Sequence, residues 1–197
     1  MNISLAFLLI SLIYSVFLNI IFHIKKHIKT VENKIFSILL IINLIGILLE
    51  ISCITTIFKL GVENIITIIC NRLFLLYLTS FVILFGYYTY YIILGLEDNH
   101  TKKIGNIIST IIFVLSTIII FILPLSIYFN GDITYSYGAA VNYVYGLSFI
   151  ISSLSIFLSI MNIKKIRKKR LLLLLSYVIG ATIVFIIQKC NPSLTLA

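Results

Sequence analysis

The stretch Leu73–Leu94 reads LFLLYLTSFVILFGYYTYYIIL, 22 residues without a charge. A bilayer's hydrocarbon core, ~30 Å deep, is crossed by roughly 20 helical residues. Backbone amides in lipid must pair within their own segment or around a closed barrel. The run is continuously apolar rather than alternating, which selects a helix and excludes a β-barrel. Ile65–Cys70 precedes it as a second apolar run, so the span is predicted over residues 65–94. Working outward, five more runs qualify: Ile3–Phe22, Ile35–Phe58 with the single charge Glu50, Ile104–Tyr128 with Pro124 near its end, Ala139–Ile163 and Leu171–Gln188. The expected fold is all-α: one polytopic transmembrane bundle of six helices over residues 1–197, with spans at about 3–22, 35–58, 65–94, 104–128, 139–163 and 171–188.

Composition agrees. The chain is 61% hydrophobic and 11% charged, with a mean hydropathy of +1.18, against roughly 25% charged residues in soluble domains. That excludes a water-soluble globular protein and a disordered one, and leaves few acids and bases for an enzyme site. The net charge of +9 comes from 15 Lys and Arg against 6 Asp and Glu. The basic residues gather in alternate connections. Lys25, Lys26, Lys29 and Lys34 follow the first span, Lys102 and Lys103 the third, and Lys164, Lys165, Arg167, Lys168, Lys169 and Arg170 the fifth. Lys59, Arg72 and Lys189 fall on the other side. Cytoplasmic connections of multi-pass proteins carry the excess of Lys and Arg, so the odd connections are predicted cytoplasmic and the N-terminus outside, in the cell (plasma) membrane. No basic segment precedes the first span, so it does not read as a signal peptide. Six spans then leave the C-terminus outside. Asn191–Ala197 looks like the first turn of a seventh span, since Pro192 suits a helix start. The chain is expected to be a fragment, or its tail to end in the outer headgroups.

Tyrosines mark the interfaces. Tyr87, Tyr88, Tyr90 and Tyr91 close the third span, while Tyr128, Tyr135, Tyr137, Tyr143 and Tyr145 flank the fourth connection. They are expected to anchor the helices at the headgroups. The segment Asn130–Gly138 is read as a turn or a lid.

An ionisable side chain within a span costs several kcal/mol unless paired, and is a functional candidate by default. Glu50 in the second span and Arg72 in the third fall at similar depth across a short turn, so an ion pair or shared polar site is predicted. Asn71, Thr55 and Thr56 are near enough to join it, and Asn43 shares the helix face of Glu50 seven residues away. The group either fixes helix register or senses a ligand. Asn19 and Gln188 read as hydrogen bonds between helices. Ser148, Ser152, Ser155 and Ser159 form a small polar stripe on the fifth span, matched by Ser176 and Gly180 on the sixth. Such stripes let helices approach closely, within the bundle or across a homodimer.

Motifs for chemistry are missing. His23 and His27 are four residues apart but lack partner ligands beyond Glu32, so no metal site is expected. Cys53, Cys70 and Cys190 show no CxxC spacing; they are free thiols or an undeducible disulfide. No phosphate loop, dinucleotide fingerprint or nucleophile elbow appears, and no cofactor is expected. The Lys164–Arg170 cluster is explained by anionic lipid, worth about 1 kcal/mol per basic residue, so the bilayer rather than nucleic acid is its partner.

The segment Glu32-Asn33-Lys34-Ile35-Phe36 with Asn43, Gly46 and Glu50, the run Asn71-Arg72-Leu73-Phe74-Leu75-Leu76-Tyr77, and Gln188 followed by Pro192 resemble the multi-helix membrane input region of Firmicutes-type bacterial sensor histidine kinases and diguanylate-cyclase (GGDEF) signalling proteins. The likeness covers about residues 30–192. It implies a sensory input domain for signal transduction, coupled to a cytoplasmic output domain or partner protein in a two-component system. The output's phospho-accepting His, ATP-binding glycines and GGDEF run are absent from the sequence, so the chain itself is not expected to be an enzyme. Glu50, Arg72, Asn43 and Asn71 are the candidate sensing residues. Two rivals stand beside this reading. One is the substrate-binding membrane subunit of a vitamin-type transporter, against which the first span lacks Ala-x-x-x-Ala. The other is a membrane peptidase, which needs a Cys–His couple on one face where the cysteines and histidines are predicted on opposite faces.

Overall fold

The computed structural model describes residues 3–24, 30–94, 99–131, 134–162, 179–180 and 183. The sixth span, apart from Ile179, Gly180 and Ile183, lies outside the described residues. So do the Lys164–Arg170 cluster, Ser176, Gln188, Cys190, His27 and the seventh-span tail.

Five helices are described: α1 (Ile3–Ile24), α2 (Val31–Leu60), α3 (Ile65–Leu94), α4 (Asn99–Ile122) and α5 (Ala139–Met161). Each is long and apolar enough to cross a membrane. Large apolar side chains point away from the bundle; Ile13 on α1 is 71% exposed and Ile122 on α4 is 76% exposed. A soluble monomer rarely shows such continuous apolar surface.

Local chemistry sets the helix ends. Thr30 Oγ1 accepts the Asn33 N–H at the start of α2, supplying one of the bonds that a helix start lacks. Gly61 ends α2 at a φ of 83°, a region that disfavours a Cβ, and donates its N–H to Ile57 O. Asn64 Oδ1 then accepts the Ile66 N–H and opens α3. The expected fourth span, 104–128, is corrected: α4 starts at Asn99 and stops at Ile122. Pro124 has no N–H to donate and its ring disfavours helical geometry in the residue before it.

Beyond Pro124 the chain departs from a purely helical expectation. Strands β1 (Ser126–Phe129) and β2 (Thr134–Tyr137) form an antiparallel hairpin, with Ser126 opposite Tyr137 and Phe129 opposite Thr134. The turn or lid expected at Asn130–Gly138 is therefore the second half of a hairpin. Its strands hold β-branched and aromatic residues that favour extended backbone, and Gly131 in the connection has a φ of 94°.

α3 is the central helix, packing against α2, α4 and α5, whereas α1 packs chiefly on α2. Thr67, Asn71, Leu75 and Thr79 are buried at four-residue spacing along α3, a narrow stripe that admits close neighbours. Thr79 and Thr89 donate to carbonyls one turn back, whereas Thr67 donates to Gly61 O at the end of α2. Leu75 meets Ile120, Ala140 and Val144 in one apolar cluster. Ile35 and Leu39 meet Tyr91 in another, at the opposite end of the bundle from the hairpin. Tyr91 is buried and Tyr90 donates to Thr101 O, so these tyrosines pack between helices as well as marking an interface.

At the α2–α3 crossing, Gly46 lies directly against the Tyr77 ring, where a Cβ would collide. Gly46→Leu is expected to lower stability by about 1–3 kcal/mol, with partial recovery when Tyr77→Ala is added. Denaturant unfolding in detergent, followed by circular dichroism, measures both.

Candidate functional site

The four polar residues predicted to share a site are drawn apart by their neighbours. Arg72, in the second turn of α3, reaches across to the end of α4. Its Nη1 donates to the carbonyls of Ile120 and Phe121, the latter at 2.8 Å. Its guanidinium also lies 6.0 Å from the Phe121 ring centroid, within cation–π range. The last carbonyls of a helix lack intrahelical partners and carry the negative end of its dipole. Pro124 ensures that no further turn supplies those partners. Arg72 therefore fills the role of a C-terminal cap from a neighbouring helix. Among the described residues no ion pair joins it to Glu50, which corrects the predicted pair.

Asn71, only 1% exposed, looks the other way. Its Nδ2 donates to Thr67 O at 2.8 Å, and its Oδ1 accepts from the Ser136 hydroxyl at 2.9 Å. This second bond ties β2 to α3. Asn43 serves α1 instead, donating from Nδ2 to Ser15 Oγ at 3.3 Å. Thr55 and Thr56 donate to Ile51 and Cys53 carbonyls of their own helix and join no shared site.

Glu50 is left without a hydrogen bond or ion pair among the described residues. Its position on α2 falls on the face that Asn43 turns to α1 and Gly46 turns to α3. Above it the hairpin forms a roof. Tyr135 packs against Leu8, Ile51 and Ile54. Phe129 meets the Phe58 ring edge-on at 5.1 Å, and Tyr128 stacks on Tyr135 at 4.9 Å. Thr134 Oγ1 is buried in this roof with no partner among the described residues. The candidate site is thus a carboxyl in the α1–α2–α3 face, unpaired among the described residues, beneath an aromatic hairpin that Ser136 ties to Asn71 of α3.

Sequence reasoning missed Ser15, Ser37, Ser116 and Ser136 as partners. His23 Nε2 lies 3.0 Å from Ser37 Oγ and its Nδ1 2.8 Å from Asn19 O, while Asn19 donates to Leu40 O. These form a polar seam between α1 and α2. The Tyr143 hydroxyl pairs with Ser116 Oγ at 2.8 Å, linking α5 to α4. The seam was findable: Ser15, Asn19 and His23 repeat every four residues on one face of the first span.

In the serine stripe, Ser148, Ser155 and Ser159 are buried inside the chain and Ser152 is half-buried. The stripe therefore serves packing within the bundle. Gly180 is exposed among the described residues. Cys53 and Cys70 are free thiols. Among the described residues no group of three His, Cys, Asp or Glu gathers to hold a metal.

A double-mutant cycle separates these roles. Arg72→Met is expected to destabilise the protein by about 1.5–3 kcal/mol, the range for hydrogen bonds from a charged donor. The coupling with Glu50→Gln should fall within about 0.5 kcal/mol of zero, as for sites sharing no partner. Chemical unfolding in detergent measures it; a large favourable coupling would restore the ion pair. In comparisons with protein-family models, with curated proteins and with solved structures, nothing matches this chain.

Proposed function

We propose that the chain is a sensory input domain of the cell membrane, reading an external or intramembrane stimulus at its hairpin end. The observation that carries this reading is the hairpin's attachment: Tyr135 packs it on α1 and α2 and Phe129 on α2, while its described side-chain bond to α3 is Ser136 to Asn71. A small displacement of the hairpin would change the cover over three helices at once, the kind of discrete alternative on which a signal depends.

Charge supports the orientation. Lys34, Lys102 and Lys103 lie at the end opposite the hairpin, which the positive-inside rule assigns to the cytoplasm. The hairpin end is then outside. A stimulus there would bias helix packing and reach a cytoplasmic output domain or partner protein, as in the sensor histidine kinases that residues 30–192 resemble. Homodimerisation through the helices belongs to the same reading. An unpaired carboxyl beneath aromatic rings suits a ligand with a cationic or hydrogen-donating group.

Chromosomal replacement in the source cell tests the proposal through its transcriptome. Asn71→Ala, which frees the hairpin, is expected to reproduce a stimulated pattern without stimulus. Glu50→Gln is expected to reproduce the pattern of a deletion. Wild-type patterns in both variants, with membrane levels unchanged, would contradict the sensory role and leave both residues structural.

A further inference from the structure

Away from the hairpin, a cavity of about 170 Å³ lies between α3, α4 and α5. Its origin is a mismatch in helix spacing. Gly86 on α3 lets Ile151 of α5 come so near that a Cβ would collide with it, and Gly105 on α4 does the same for Tyr90 of α3. α3 is thus drawn against both neighbours, whereas α4 and α5 touch little. A wedge remains between them.

The wall is mostly apolar and holds no charged side chain. Four hydroxyls line it, those of Tyr87, Tyr90, Ser109 and Ser155. Ser109 donates to Gly105 O at 2.8 Å and Tyr90 to Thr101 O at 3.1 Å, so both are satisfied. Ser155 is 3% exposed, and its hydroxyl makes no hydrogen bond among the described residues. Two of its neighbours on the same stripe, Ser148 and Ser159, each donate to the carbonyl four residues back, at 2.8 and 2.7 Å. Ser155 has an equivalent carbonyl on its own helix and does not use it. A hydroxyl that lines a cavity and makes no hydrogen bond to the protein keeps a donor and two acceptor lone pairs for a guest.

We propose that this cavity binds a small neutral molecule from the membrane, one ring in size, carrying a hydroxyl or carbonyl that bonds to Ser155. The volume sets the size, since an apolar cavity of about 150 Å³ holds benzene. The uncharged wall sets neutrality, and the free hydroxyl sets the polar substituent. This site goes beyond the sensory reading and does not depend on it.

The test uses the full chain in detergent micelles, with 4-fluorophenol and 4-fluorotoluene as probes observed by ¹⁹F NMR. A saturable bound resonance is expected for 4-fluorophenol, with affinity about fivefold above that of 4-fluorotoluene, the span of one neutral hydrogen bond. Ser155→Ala should abolish that preference while keeping the cavity. Ile112→Phe, which fills the wedge from α4, should remove the bound resonance of both probes, and Leu158→Phe does the same from α5 should the first variant fail to fold. Absence of saturable binding to the wild type would overturn the proposal. So would equal affinity for the two probes, which marks an apolar void only, or binding that survives in a folded, filled variant.

Discussion

A guanidinium inside an apolar bundle must find acceptors, and Arg72 finds them at the open end of α4. The arrangement solves two problems together. The helix end, cut short by Pro124, has carbonyls with no further turn to receive; the cation has no water. Their meeting fixes where α4 stops against α3, and hence where the chain leaves to form the hairpin. Asn71, one residue earlier and so about 100° around the helix, holds the returning strand. Two adjacent residues of α3 thus position everything at that end of the molecule.

The rest of the bundle follows from polar groups handled without solvent. Many threonines and serines, among them Thr79, Thr89, Ser148 and Ser159, turn inward and bond to their own helices, which leaves narrow faces for close packing. Asn43, Asn19 and His23 bond instead across the α1–α2 seam. Against this background three groups that make no hydrogen bond among the described residues stand out: the Glu50 carboxyl, the buried Thr134 hydroxyl beneath the hairpin, and the Ser155 hydroxyl in the wedge. In a well-satisfied interior such exceptions call for an explanation, and two of the three lie at the end from which sensing is proposed.

Much of the helical architecture was legible in the chain. α3 runs from Ile65 to Leu94 as its apolar run predicts, and α5 begins at Ala139 as expected, because long uncharged runs admit few alternatives in lipid. The hairpin was not legible. Leu123–Tyr128 carries no charge, so hydropathy alone extends the span and does not register that Pro124 has already ended the helix. The Glu50–Arg72 pair failed for a different reason. Counting from a turn gives depth, but not direction around the helix axis. Arg72 sits at the right height and faces α4, a neighbour that only the folded bundle supplies. Ser148, Ser155 and Ser159 of the serine stripe are buried, while which of its hydroxyls bond to their own helix is visible only in the folded chain.

The central claim is that the hairpin straps the helix ends through its contact with α3. Cysteine cross-linking tests it directly, in membranes, in a chain whose native cysteines are replaced by alanine. With Asn71→Cys and Ser136→Cys combined, mild oxidation should give a near-complete intramolecular disulfide, because the native side chains are within hydrogen-bond distance. A pair that stays reduced, while Asn71→Cys cross-links to Tyr137→Cys instead, would place the hairpin in another register and contradict the account.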